Sequence, residues 1–411
     1  MMQTRMVRWR TSTWVGAAIG AVLLGVAVAI GVVQFLATTS TPLHPVAQDV
    51  SSVRRATPPF AWAETAERAR QLVRAHVSAM NLPGVSVAVG VGDDLVWAEG
   101  FGWADLPTRT SVTPDTTFRL GTASIPLTSA AAGVLLERGR LRLDAEIQTY
   151  VPEFPRADVP MTVQHLMAHT AGVPPDGGDE GPLFVMHCAR PVEAIPGFVA
   201  WSRPFDPGTD FLVSAHGWVL VSAAIEAAAR EPFLRVMRKE VFEPLGMDDT
   251  RADAPGAPDQ ASPYFPRFAA DPRYGPEEMR LLDLSCYAGA GAFVSTPSDL
   301  VRFGLGLSNG RLLQPATLGR LLAEQRTASG DSTAYGLGWA RTTITLAGRP
   351  ATAVGHDGHV LGGPAVSLLM VPERRLVVAV MANISYAEPA RLATALANAF
   401  AAGAPVTPAA P

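Results

Sequence analysis

The run 14–33 carries no charged side chain and no strongly polar one. At 1.5 Å per residue, twenty residues of α-helix span about 30 Å, the thickness of a bilayer's hydrocarbon core. Such a segment has no place on the surface of a water-soluble body. Arg5, Arg8 and Arg10 lie just before it, and the positive-inside tendency then puts the N-terminus in the cytoplasm and exports the rest. The rival reading is a cleaved signal peptide, whose apolar region usually runs about 7–15 residues before a small-x-small site. The run here is longer, although 37–40 offers a place to cut. The expectation is a cytoplasmic Arg-bearing tail over 1–13 and a transmembrane signal-anchor over 14–37. The protein is then single-pass in the cell membrane, with its C-terminal domain extracytoplasmic.

The remainder can build a sizeable core. Of the 411 residues 48% are hydrophobic and 17% charged, as in globular domains. The net charge of −4 offers no basic field for nucleic acid. Of 33 Lys and Arg, only Lys239 is a lysine. Arginine does not lose its proton in a protein, so Lys239 is the one side-chain amine that can serve as a base. The two cysteines, Cys188 and Cys286, form one disulfide in an oxidising compartment or stand as separate buried thiols; spacing alone does not decide.

After the anchor, 38–60 is rich in Thr, Ser and Pro and reads as a tether. The body extends over 61–401, followed by an Ala/Pro-rich tail, 402–411. Helical spacing over 63–80 puts Ala66, Ala69, Leu72, Val73 and His76 near one face. Two strands follow, 85–90 and 95–100, joined at Gly92-Asp-Asp94. Thr122 or Ser124 is placed to cap a helix that runs to Glu137. Further helices are predicted over 162–169, 218–229 and 232–241, with a Pro- and Gly-rich excursion over 174–196. Strands over 342–346, 365–370 and 375–382 precede a last helix, 388–401. Strands thus sit at both ends of the body and helices in the middle, which gives an α/β sandwich with an all-α region.

Several motifs stand in a telling order. They are Pro83-Gly-Val-Ser-Val-Ala-Val, Trp97-Ala-Glu-Gly-Phe-Gly, Thr113-Pro-Asp-Thr-Thr-Phe-Arg and His165-Leu-Met-Ala-His-Thr-Ala-Gly-Val-Pro. Then come Phe242-Glu-Pro-Leu-Gly-Met, Ser295-Thr-Pro-Ser-Asp-Leu, Tyr335-Gly-Leu-Gly-Trp and Gly355-His-Asp-Gly. With these the chain resembles the serine β-lactamase and penicillin-binding-protein superfamily, in its class C β-lactamase, esterase and D-aminopeptidase branch. The resemblance implies an antiparallel sheet built from both chain ends, flanked by helices, plus an all-α subdomain. It implies no cofactor and no metal.

The resemblance also implies three clusters, and two of them are replaced here. A Ser-x-x-Lys pair belongs on one helix face, one turn apart, so that the amine takes the serine proton. In Phe118-Arg-Leu-Gly-Thr-Ala-Ser-Ile125 the nucleophile position is Thr122 and the lysine position is Ile125. A Tyr-x-Asn motif belongs after Pro207-Gly; here Val213-Ser214-Ala215 stands there, with His216 next and out of register. The third cluster, His-x-Gly, is kept as His356-Asp357-Gly358. The backbone amide of His359 is then the second oxyanion donor, beside that of Thr122. Ser214, Asp357, Gly358 and His359 are the retained pocket candidates.

Other arrangements compete. His356 as a base for Thr122, oriented by Asp357, meets the objection that strand neighbours point to opposite faces. His165 and His169 have a zinc-like spacing, but the metalloprotease pattern needs Glu where Leu166 stands. The expectation is a membrane-anchored, catalytically degenerate homologue acting as a binding or regulatory module, its ligand a cell-wall peptide, a small ester or amide, or a protein. The alternative is an active esterase, β-lactamase or D-amino-acid peptidase that uses Thr122 with an unconventional base.

Overall fold

A computed structural model describes residues 6–39, 41–156, 158–175, 182–200, 202–254, 256–280, 282–359 and 363–403. The N-terminal helix α1, Met6–Thr39, contains the stretch Trp14–Phe35, long and apolar enough to cross a membrane and exposed on the body's outside throughout. Most of the tail predicted over 402–411 lies outside the described residues.

The body is organised by one antiparallel sheet. Its main strands are β1 Ser52–Arg54, β2 Gly84–Val91, β3 Asp94–Asp105, β4 Ala340–Leu346, β5 Arg349–His359, β6 Ala365–Val371 and β7 Leu376–Ala382, and the short strand Thr110–Ser111 pairs with β3 off the main path. The main strands lie in the order β1-β3-β2-β7-β6-β5-β4. Chain beginning and chain end meet where Val85 pairs with Ala382 and Val91 with Leu376. Both faces are covered, and β6 and β7 are buried along their whole length. Side chains alternate across a strand, so Val378 and Val380 enter one core while Val377, Ala379 and Met381 enter the other.

The first core lies under helix α2, Ala63–Ala79, and the last helix, Pro389–Ala402. Phe400 stacks on Trp97 at 6.1 Å and meets Trp62 at 5.6 Å. Each such buried aromatic is worth about 1.5–3 kcal/mol relative to exposure. The inward face of α2 is Ala66, Ala69, Val73 and Val77; Leu72, expected among them, points outward. The second, larger core joins the sheet to the helical region. At its centre is helix α3, Ile125–Glu137, buried from Ile125 to Leu135. Hydrophobic on all sides, it is a core helix. The helix predicted over 232–241 begins as Phe233–Met237 and continues as a π-turn, Arg238–Phe242.

Part of the segment expected to tether is seated on the body. The amide of Leu43 donates to Asn81 Oδ1 at 2.7 Å, Ser78 Oγ donates to the His44 carbonyl at 2.8 Å, and β1 pairs with β3. Ser and Thr are as compatible with a sheet edge as with a linker, so composition could not separate the two. Cys188, within the Pro/Gly excursion, is joined to Cys286 as a disulfide. It ties the turns at Pro191–Gly197 to the segment Ser285–Ala290.

Candidate active site

The short strand Phe118–Arg119 leads into the site. Buried Arg119 anchors it, reaching Asp253 and the Leu282 carbonyl, both at 2.9 Å. The backbone then turns sharply. Gly121 has φ +52°, where a side chain would be strained. A 3-10 turn, Gly121–Ser124, passes into α3. Pro126 fits the first helical turn because its missing N–H has no partner there in any case. Neither Thr122 nor Ser124 caps α3 with its side chain.

Facing this turn is the C-terminal half of β5. β4 stops pairing at Ala340–Gly355, while β5 continues against β6 to His359–Ala365. Residues 356–359 therefore lie beyond the β4 ladder, on the edge that meets the turn. Gly358 makes the close approach possible: a Cβ there would lie 1.9 Å from the Leu120 carbonyl oxygen.

Thr122 is half-buried and its Oγ1 donates to the carbonyl of Asp357 at 3.0 Å. Among the described residues that is the hydroxyl's hydrogen-bond partner, and a carbonyl cannot take its proton. Ile125 is fully buried in the larger core. Lys239 is exposed and paired with Glu231 at 3.1 Å. No lysine amine approaches Thr122.

The Tyr-x-Asn positions are apolar in place as well as in sequence. Val213 is largely exposed and Ala215 is buried. Ser214, expected as a pocket residue, is structural. Its hydroxyl caps the helix Ala215–Ala229 by accepting from the Gly217 amide and donates to the Pro174 carbonyl at 2.8 Å. His216 also turns away from the site, stacked on Phe198 at 4.4 Å with Nδ1 on the Pro174 carbonyl. Burial lowers its pKa to about 4.

His356 is not placed as the base for Thr122. Its Nδ1 lies 2.7 Å from the Asp357 carbonyl, which only accepts, so that nitrogen carries a proton. The basic lone pair is then on Nε2, 3.0 Å from the Tyr335 hydroxyl. Asp357, adjacent on the strand, is exposed and meets its neighbour through its carbonyl, not its carboxylate. The backbone of His359 pairs with that of Ala365.

Behind His356 lies a pair of rings, Tyr335, which stood in the sequence only as a motif letter, and His169, which stood there as half of a zinc-like spacing. The buried Tyr335 ring is 4.9 Å from the ring of His169. Burial pushes the phenol's pKa well above its ordinary value. Burial lowers the pKa of His169 to about 3. His169 accepts from the Ser214 amide at Nδ1, while Nδ1 of His165, in the capping box of the helix Val163–Met167, faces the Thr162 amide. The two histidines do not converge on a metal position. Tyr335 and His356 stand in two separate motifs, Tyr-Gly-Leu-Gly-Trp and His-x-Gly, and no local spacing reveals their contact.

The geometry is that of a known architecture. Residues 69–402 match the family described as Beta-lactamase, and the chain belongs to that family. Among relatives, it is 26% identical over 298 residues to penicillin-binding protein 4* of Bacillus subtilis (strain 168), covering 70% of this chain and 64% of the relative. It is 25% identical over 341 residues to the mitochondrial serine beta-lactamase-like protein LACTB of Mus musculus, covering 64% and 61%. The chain therefore spans less than two thirds of these relatives' own length. The solved D-amino acid amidase from Ochrobactrum anthropi SV3 superposes with a TM-score of 0.68 at 22% identity, covering 83% of this chain and 97% of that one. At that identity the likeness shows the fold alone.

Proposed function

We propose that this protein is a membrane-anchored, extracytoplasmic member of the family that binds ligands without hydrolysing them. One observation carries the reading: the Thr122 hydroxyl spends its proton on the Asp357 carbonyl, one helical turn from a buried isoleucine. Serine-type acyl transfer needs a base that removes that proton. Loss of such a base costs several orders of magnitude in rate, and backbone oxyanion donors supply only a residue of it. Beyond the end of the β4 ladder the strand runs on through 356–359, and strand edges take extended peptides or amides through main-chain hydrogen bonds. The ligand classes in keeping with this are a cell-wall-type peptide, a small ester or amide, or a segment of a protein partner.

The test is turnover of a chromogenic cephalosporin and a short-chain nitrophenyl ester by the purified full chain, beside Thr122→Ala. Equal, background-level rates are expected. Turnover above background that disappears in Thr122→Ala sinks the proposal. A fluorescent penicillin is expected to leave no adduct on Thr122 by mass spectrometry.

A further inference from the structure

We infer that the face around the cleft between the turn Pro272–Tyr274 and the start of the helix Pro389–Ala402 rests on the lipid surface. The inference depends on the anchored reading of α1 given above.

The argument begins with chain length. α1 ends at Thr39, and Leu43 is already hydrogen-bonded to Asn81. Four residues reach at most about 14 Å when fully extended. Next to that point His44 is buried, with Nε2 3.5 Å from the Pro83 carbonyl. The end of α2 is therefore held within a short distance of wherever α1 leaves the bilayer. α1 itself passes beside the turn Pro272–Tyr274.

The surface at that place suits an interface with lipid. Met80, the neighbour of Asn81, lines a cleft of about 640 Å³ with Ala269, Ala270, Pro272, Tyr386 and Pro389. Of the charged groups at the cleft, Arg273 pairs with Asp271 at 2.5 Å and Arg391 with Glu388 at 3.0 Å, and Asp357 adds a single carboxylate. Paired charges leave little net field to repel or attract a headgroup. Tyr386 is half-exposed, its ring 6.0 Å from Phe265. An aromatic ring with a polar tip at the level of a membrane surface is the residue type favoured there. Asp357 lines the same cleft, so the lipid-facing cleft reaches the strand that meets Thr122.

The experiment uses the full chain reconstituted in phosphatidylcholine vesicles containing doxyl-labelled lipid. The native cysteines are joined, so bimane goes to an introduced thiol. Labels are placed at Tyr386→Cys, at Arg391→Cys as a second position on the same face, at Leu234→Cys on the helical layer across the sheet, and at Val22→Cys in α1. The expected result is strong quenching at 22 and several-fold more quenching at 386 and 391 than at 234. Quenching at 22 with 386 and 391 no different from 234 overturns the docked face and leaves the anchor standing. No quenching at 22 removes the anchor, and this inference with it. Labels at 386 and 391 that are shielded from aqueous iodide yet unquenched by doxyl lipid place a protein over the face, and also overturn the proposal.

Discussion

Thr122 and Asp357, 235 positions apart in the chain, are joined by one hydrogen bond, hydroxyl to carbonyl. The same carbonyl takes His356 Nδ1. The hydroxyl thus helps hold the nucleophile turn to the strand edge. Thr122→Val keeps the shape and removes the donor. It is expected to lower stability by about 1 kcal/mol, read as a lower urea midpoint, with no change in ester turnover.

Gly358→Ala tests the same junction by steric means. The new methyl would meet the Leu120 carbonyl and the Ala123 Cβ at 1.9 and 2.8 Å, and neither can move without shifting α3 or β5. Overpacking of this kind costs about 1–3 kcal/mol or more. A fall in the thermal midpoint larger than that of Thr122→Val is expected.

A buried ion pair fixes α2 to the sheet. Arg70 reaches both oxygens of the fully buried Glu99, at 2.8 and 3.0 Å, and Trp97 Nε1 adds a third donor at 3.0 Å. Arg70→Met leaves the carboxylate buried without its cation, at a cost of about 3–5 kcal/mol. Adding Glu99→Gln to that variant is expected to restore part of the loss in chemical denaturation.

Acid sensitivity follows from the neutral buried histidines. His216 titrates near 6.5 when unfolded and about 4 when folded, so between those values the unfolded chain binds more protons and stability falls as pH falls. From pH 7 to pH 5 the loss through this one group is about 2 kcal/mol. His216→Phe keeps the stack on Phe198 and removes the titration. Its unfolding free energy is expected to drop less than the wild type's over that interval, by about that amount.

The Cys188–Cys286 bond closes a loop of 98 residues. In the chain-entropy account a loop of roughly 100 residues contributes about 4–5 kcal/mol, and removal of native disulfides typically costs about 2–5 kcal/mol. Replacing both cysteines with alanine is expected to lower the thermal midpoint. Thiol titration of the denatured wild type is expected to find no free thiol before reduction.

What could be read from the residues was what is local or repeated. Strand-length apolar runs marked β2, β3, β6 and β7, and the order of motifs placed Thr122, Ile125, Val213 and Ala215. β5 was harder: Pro350, Gly355 and Gly358 look like breakers along a strand of 11 residues, yet Gly355 and Gly358 are there because backbone lies against them. The helix Pro297–Ser308 showed only as a motif, although Thr296 caps it by accepting from the Asp299 amide. Long-range partners were out of reach. Nothing near Ser214 or His216 signals Pro174, and nothing near His356 signals Tyr335.

The pairing of β2 with β7 also sets a clock. Val85 finds its partner in Ala382, which a ribosome adding about 5–20 residues per second reaches some 15–60 s later. Until then the β2–β3 hairpin has one edge without a neighbour, and neither core can close over it. Folding of this body has to wait for its last hundred residues, so any truncation before β7 would leave an open, sticky hairpin instead of a smaller domain.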